Sequence, residues 1–467
     1  MAARNPSAAL AVGVVVYVAL SHLLVDAEIP VLATAPYVSA VVAATGAYIA
    51  GGLLDVPTTE TAAAAPAPVV QAGRIRSIDV LRGFALFGVL TMNMQAFADV
   101  FAVYMHPFAL GDISAVEYGL WCFNRVVADT KFMTIFSMLF GAGIVLMTTR
   151  AKERTGRSAG LHYRRMLWLA LFGFAHATLL WIGDILFFYG IVGMVAYLLR
   201  RVWLWLLFLL AFLAFSLPPL AFSFLDQMPA EDLAELQTMW APSSDYIEAT
   251  HATMRGGWLG QVAHRAEEWT GMLGFLVLFG WRILANMLLG MALFRMGVFA
   301  AERSDRFYLT MIVGGFLIGL PLCAWGIYDH EMHDWEMLRS MGVGANFNYV
   351  GSLFVAFGWI GLVMLICRRG SLPALRERFA AVGQMAFTNY IMHSVICTTI
   401  YNGHGLGLFG HVSRVWQAVI VLAIFGFQLW YSPLWLQRFR FGPLEWLWRA
   451  LAYWQWPPMR REPGTAA

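Results

Sequence analysis

Long apolar runs broken by short polar segments recur from one end of the chain to the other. Candidate helical spans fall at 8–25, 30–53, 79–101, 131–149, 166–182, 184–200, 202–224, 273–295, 308–328, 347–367, 383–401 and 415–435. A helix of about 20 residues crosses a hydrocarbon core of ~30 Å, and most of these runs meet that length. They are continuously apolar rather than alternating, which disfavours the strands of a membrane barrel. The pattern predicts an all-α, polytopic integral membrane protein of about twelve transmembrane helices, with the lipid bilayer as its first partner.

One stretch breaks the rhythm. "VPTTETAAAAPAPVVQAG" (56–73) has no helical periodicity and reads as a flexible linker. The chain therefore divides into a two-helix hairpin over 1–54, a linker over 55–73, a core whose halves cover 74–220 and 221–456, and a tail over 457–467. A signal peptide ending near "ATA" (33–35) is the rival reading of the first run, and the second long run weakens it.

The polar breaks carry the orientation. "RAKERTGRSAGLHYRR" (150–165), Arg200 with Arg201, "RRGSLPALRERF" (368–379) and "RFRF" (438–441) are basic, while "FLDQMPAEDLAELQ" (224–237), "YDHEMHDWEM" (328–337) and "NGHGLGLFGH" (402–411) are acidic or neutral. The two kinds alternate, so the positive-inside rule places both termini in the cytoplasm. Composition agrees: 60% of residues are hydrophobic and 13% charged, against roughly a quarter charged in soluble domains. A net charge of +3 with no basic, aromatic-interleaved stripe excludes a nucleic-acid footprint. Cys122, Cys323, Cys367 and Cys397 are widely spaced and read as packing residues. No phosphate loop, HExxH or GxSxG occurs, and His330 and His333 read as part of an exposed acidic loop rather than a metal site.

Candidate chemistry lies with the polar residues inside the spans, which are costly in lipid and usually face a bundle interior. "RSIDVLRGFALFGVLTMNM" (76–94) sets Asp79 and Arg82 three apart on one face, with Asn93 deeper. That pair is either a salt bridge orienting the span or a fork for an anionic group. In "DTKFMTIFSMLFGAG" (129–143), Lys131 taken alone snorkels to the outer surface, and the small residues suit close helix contact. "LFGFAHATLLWIGDILFFYGIVG" (171–193) holds His176 and Asp184 eight apart, able to meet through a break near Gly183 or through a water, with Tyr189 as a further polar partner. A carboxylate orienting an imidazole is an arrangement for a general base. A histidine merely hydrogen-bonded to a neighbouring helix is the other reading. Arg282 needs a partner, and "GQMAFTNYIMHSVI" (383–396) presents Asn389, Tyr390, His393 and Ser394 as a pocket lining or an interhelical seam. Glu445 and Arg449 stand at i, i+4 on an interfacial helix.

Together "RIRSIDVLRGFALFGVLTMNM", "KFMTIFSMLFGAGI", "RRMLWLALFGFAHATLLWIGDILFFYGIVGM", "GQMAFTNYIMHSVIC" and "FGPLEWLWRALAYWQW" resemble the YeiB-like bacterial inner-membrane proteins, a family of unknown function, in order from about residue 74 to 456. The N-terminal half of that family resembles the catalytic region of heparan-α-glucosaminide N-acetyltransferase and, more distantly, the membrane acyltransferases of surface polysaccharides. The resemblance implies a transmembrane acyltransferase fold in the bacterial inner membrane. It implies acetyl-coenzyme A or another acyl-coenzyme A as a co-substrate, no tightly bound cofactor or metal, and a glycan or small-molecule acceptor on the far side. "DVLRG" carries Asp79 and Arg82 over as motif positions. Asn93 occupies a slot that many acyltransferases fill with histidine, and His106 in "VYMHPFAL" is the nearest candidate for a histidine near the outer end.

These readings leave three functions, of which a non-catalytic membrane scaffold or sensor is the one that gives the buried groups no chemistry. In an acyltransferase, His176 polarised by Asp184 serves as the base or carries the acyl group, Arg82, Arg165 and the basic loop meet the donor, and Arg282 with Asn389 and Tyr390 lines the path. In a transporter of a small polar or anionic solute, the same buried groups form a midplane site. Both expect the buried polar residues to gather around one hollow.

Overall fold

The structure, a computed structural model, describes residues 74–461. The hairpin, the linker and the last six residues of the tail lie outside the described residues. The described region is predominantly helical, and the one β-type pairing among the described residues is an isolated bridge between Phe439 and Arg460. Six helical stretches here are long and apolar enough to cross a membrane: Arg76–Ala98, Ala115–Thr155, Leu204–Phe222, Asp305–Met332, Met337–Arg368 and Arg414–Arg438. The expected span 184–200 forms Leu186–Leu199, apolar but only 14 residues long, so these stretches do not by themselves reach the expected number.

The helices that position the polar groups are α1 (Arg76–Ala98), α2 (Ala115–Phe123), α3 (Lys131–Thr155), α4 (Ala159–Leu179), α5 (Leu186–Leu199) and α6 (Leu204–Phe222). The loop over 225–268 folds into α7 (Ala230–Trp240), α8 (Ser244–Arg255) and α9 (Trp258–Glu267). The second half supplies α10 (Trp269–Arg295), α11 (Asp305–Met332), α12 (Ala345–Arg368), α13 (Pro373–Gln384), α14 (Ala386–Tyr401), α15 (Arg414–Arg438) and α16 (Pro443–Tyr453).

Apolar residues point outward as well as inward. Phe212, Leu317 and Leu422 are each more than 60% exposed, while Lys131 and Arg282 are at most 1% exposed. A soluble protein inverts that order; a lipid-embedded bundle requires it, because its polar groups must be satisfied by one another. Packing is tight where small residues let backbones approach. A Cβ on Gly141 of α3 would stand 2.0 Å from the Met287 carbonyl of α10, and one on Gly290 would stand 1.9 Å from the Met138 carbonyl. The "LFGAG" face therefore seats α3 against α10 backbone to backbone.

The stretch 383–401, expected as one span, begins at a break. Helix α13 ends at Gln384 and α14 starts at Ala386, with Met385 between them. Glu445 of α16 closes the break: Oε1 accepts from the backbone N–H groups of Phe387 and Thr388 at 2.7 and 3.2 Å, and Oε2 from the Thr388 hydroxyl at 2.6 Å. A carboxylate at a helix N-terminus satisfies orphan donors and complements the dipole. The expected Glu445–Arg449 pair gives way to this cap, and the Arg449 guanidinium lies 4.7 Å from the Phe441 ring instead.

Candidate functional site

His176 sits near the end of α4, where its carbonyl accepts the N–H groups of Leu180 and Trp181 as the helix closes. The chain turns through Ile182 and Gly183, and Asp184 precedes the first turn of α5. There Asp184 Oδ2 accepts from the Phe187 N–H at 2.7 Å, a helix-start contact that fixes the carboxylate. Its other oxygen, Oδ1, meets His176 Nδ1 at 2.8 Å. Gly173 allows this approach: a Cβ there would lie 2.1 Å from the Phe187 nitrogen and 2.6 Å from Asp184 Oδ2. The eight-residue spacing thus becomes a contact through a turn between two helices.

The third member comes from the far half of the chain. Ser394 of α14 places its Oγ 2.7 Å from His176 Nε2. An ionised carboxylate only accepts, so Nδ1 carries the ring proton, Nε2 is the acceptor, and the Ser394 hydroxyl donates to it. Hydroxyls on helices usually fold back on their own carbonyls. Thr91, Thr148, Ser216, Thr310 and Thr399 all donate to the residue four earlier, whereas Ser394 reaches across to the imidazole. All three residues are buried. The Tyr390 ring lies 5.4 Å from the imidazole, centroid to centroid, and its hydroxyl accepts from the Ile185 N–H at 3.3 Å. The order carboxylate, imidazole through both nitrogens, hydroxyl is the arrangement that activates a nucleophile.

The remaining expected residues fall into separate groups rather than around one hollow. At the end bearing the basic segment 150–165, Asp79 pairs with Arg82 at 3.0 Å and with Arg74 at 2.5 Å, and Arg82 also donates to the Gly383 carbonyl. Arg165 lies 4.0 Å from the Trp448 ring. Asn93 is half-buried and has no side-chain hydrogen bond among the described residues. Tyr189 bonds to Ser137 Oγ at 2.7 Å rather than to His176 or Asp184. Asn389 donates to the Val382 carbonyl and to Ser432, holding α14 to its neighbours.

At the opposite end the structure assembles a group that the spacing of residues did not reveal. Asp129 Oδ2 accepts from Arg125 at 2.6 Å and from Asn348 Nδ2 at 3.0 Å, while Tyr104 donates to its Oδ1. Lys131 is wholly buried and donates to Asn348 Oδ1 at 2.5 Å and to the Arg125 carbonyl. The expected snorkelling fails because Lys131 opens α3 beneath the turn of α2 and its π-helical extension Asn124–Ala128, which covers it. Thr130, between Asp129 and Lys131, adopts φ 62°, an uncommon conformation for a β-branched residue and one found at sites that hold neighbours in place. Arg282 donates to Ser352 at 2.6 Å and to Thr134 at 3.3 Å, with its guanidinium 4.2 Å from the Tyr349 ring.

His106 stacks between Trp240 and Trp335, with centroids 5.1 and 5.2 Å away. Burial holds it below the ordinary histidine range, and its contacts are with this aromatic box rather than with His176. His330, expected in an exposed loop, is buried against the same Trp335; a carboxylate beside it, Asp329, is engaged by Arg339 at 2.6 Å. No group of three or more potential metal ligands occurs among the described residues.

Residues 293–455 match the family model described as "Protein of unknown function (DUF418)". Over 396 residues the chain is 30% identical to "Uncharacterized protein YeiB" of Escherichia coli (strain K12), covering 80% of this chain and 95% of that protein. It is 29% identical over 422 residues to "Uncharacterized protein YxaH" of Bacillus subtilis (strain 168), covering 85% and 98%. No solved structure matches. The chain belongs to the YeiB-like family, whose function is unknown.

Proposed function

We propose that the protein is a membrane-embedded acyltransferase that moves an acyl group from a thioester donor, acetyl-coenzyme A or a related acyl-coenzyme A, to a hydroxyl or amine acceptor. The hydrogen-bonded chain Asp184–His176–Ser394 carries this reading. In the first half-reaction the Ser394 Oγ attacks the thioester carbonyl as its proton passes to His176 Nε2. The carbon–sulfur bond breaks, and the imidazolium returns the proton to the departing thiolate. In the second half-reaction His176 takes the acceptor's proton while the acceptor attacks the Ser394 ester, and the serine leaves with that proton. Asp184 stays ionised, holding the ring and stabilising the imidazolium. The Tyr390 hydroxyl, having accepted the Ile185 N–H, retains its own proton to offer a developing oxyanion.

In this reading the basic end, with Arg82 and Arg165, faces the cytoplasm with both termini and meets the anionic donor. The acceptor arrives from the other side of the bacterial inner membrane. The test is incubation of the purified full chain with acetyl-coenzyme A labelled in the acetyl group, followed by peptide mass analysis. An acetyl ester on Ser394, absent from Ser394→Ala and from His176→Ala, is the expected result. Release of free thiol with no label on Ser394 and full turnover by Ser394→Ala overturns it.

Transport of a small anionic solute is the second reading. It draws support from the interruption between α13 and α14, since broken helices line solute sites in transporters. Flux in proteoliposomes with no acyl donor present distinguishes it.

A further inference from the structure

At the end of the bundle opposite the basic segment, buried cations outnumber the carboxylate bonded among them. Lys131 and Arg282 are almost wholly enclosed, Arg125 is largely so, and Asp129 is the single carboxylate tied into the group. Asp129 is already committed, with both oxygens occupied by Arg125, Asn348 and Tyr104. Arg282 lies within electrostatic reach of Asp129 but is bonded only to the hydroxyls of Thr134 and Ser352. Its Nε donor, buried, has no partner. One turn along α10, Asn286 is wholly buried, reaches Thr134 only at 3.5 Å and leaves its Oδ1 unpartnered. Buried donors are otherwise almost always satisfied, and uncompensated buried charge is the most costly arrangement of all.

We propose that Arg282 and Asn286 form a binding site for a small oxyanion, a carboxylate or phosphate group, seated between α3, α10 and α12, where Thr134 and Ser352 already hold the guanidinium. Such an anion takes the free Nε–H of Arg282 in a charge-assisted hydrogen bond, as guanidinium geometry favours. The Asn286 amide, with oxygen and nitrogen exchanged by rotation, offers it a second donor. The anion supplies the negative charge that Asp129 cannot share. A narrow crevice lined by Gln95, Tyr104, Trp121, Asn124, Arg125 and Asp129 borders the Asp129 side of the group. The site stands apart from Ser394 and does not depend on acyl transfer there.

The test uses the full chain in nanodiscs of zwitterionic lipid, titrated with sodium acetate or inorganic phosphate against sodium chloride at matched ionic strength. A parallel arm replaces part of the lipid with anionic phosphatidylglycerol, which separates a headgroup phosphate from a dissolved oxyanion. At least one arm is expected to raise the melting temperature above the chloride reference, with Arg282→Gln weakening the apparent affinity tenfold or more. Asn286→Asp provides a nearly isosteric internal carboxylate. It is expected to melt higher than the parent without added oxyanion and to lose the oxyanion response. No response of the parent in any arm overturns the site, as does an N286D variant that melts lower or responds as the parent does. Labelling of Ser394 is read separately, so loss of one result leaves the other standing.

Discussion

Two buried polar groups in this bundle obey opposite rules. Around His176 every polar atom is matched: Asp184 has one partner on each oxygen, the imidazole has one on each nitrogen, and Ser394 completes the chain. Around Arg282 the matching is incomplete, with an unpartnered guanidinium nitrogen and more cations than bonded carboxylates. A closed chain with a polarised hydroxyl at its tip is suited to making and breaking a bond. An open, cation-rich group is suited to receiving something from outside. The contrast separates pre-organisation for chemistry from pre-organisation for binding, and each half of it can be broken separately.

The largest effect is expected at the tip of the closed chain. Ser394→Ala or His176→Ala should lower acyl transfer by roughly 10³-fold or more, as loss of a nucleophile or its base does elsewhere. Ser394→Ala should also cost about 1–3 kcal/mol of stability, because it leaves the buried Nε2 of His176 without its donor, yet it should stay folded. Steady turnover by folded Ser394→Ala removes the chemical half of the contrast.

Next comes the stability of the two carboxylates. Asp129→Asn strips the cation group of its one bonded counter-charge and should cost about 3–5 kcal/mol. Asp184→Asn leaves a neutral imidazole and should cost closer to 1–3 kcal/mol. Chemical denaturation in mixed micelles gives both values, and the reverse ranking would mean that Asp184 is the carboxylate neutralising a buried cation. Gly173→Ala should follow, at about 1–3 kcal/mol, because the added methyl overlaps the Phe187 nitrogen and Asp184 Oδ2. It should also depress acyl transfer by pushing the carboxylate off the imidazole, which a plain packing defect elsewhere in α4 does not do.

The smallest effect lies outside both groups and calibrates them. His264, bonded to Glu268 at 3.3 Å, is raised above the ordinary histidine range, chiefly by that hydrogen bond. A raised folded value means the contribution is complete below the unfolded value of about 6.5 and disappears as pH climbs through the folded one. His264→Gln should therefore lower the melting temperature at pH 5.5 and have no effect at pH 9, within the 0–1 kcal/mol or so typical of exposed pairs. A deficit that grows with pH contradicts the assignment.

Hydropathy alone was enough to show that the described chain is an α-helical membrane-type bundle, and the break near Gly183 made a meeting of His176 and Asp184 possible without deciding it. Both are local signals: one is a periodicity, the other a short turn. Ser394 was visible as part of a polar stripe on α14, but nothing near it indicates that it alone among several helix hydroxyls turns outward to an imidazole 218 residues away. Its neighbour His393, the more conspicuous residue, bonds instead to Gln428. Lys131 misled for the same reason. At the head of a helix its long side chain reads as a surface anchor, and only the turn formed by α2 and Asn124–Ala128 shows that it is covered. Glu445 likewise pairs along its own helix by spacing, yet the free N–H groups of α14 offer it more than Arg449 does.

The sequence by itself determined which segments seek lipid, where the chain turns and which end is basic, because hydropathy, charge and short-range turns depend on neighbours along the backbone. Only the tertiary structure decided which buried polar groups meet and which are left short of a partner. That depends on helices packed from distant parts of the chain, where each polar atom takes the best partner within about 3 Å rather than the nearest one in sequence.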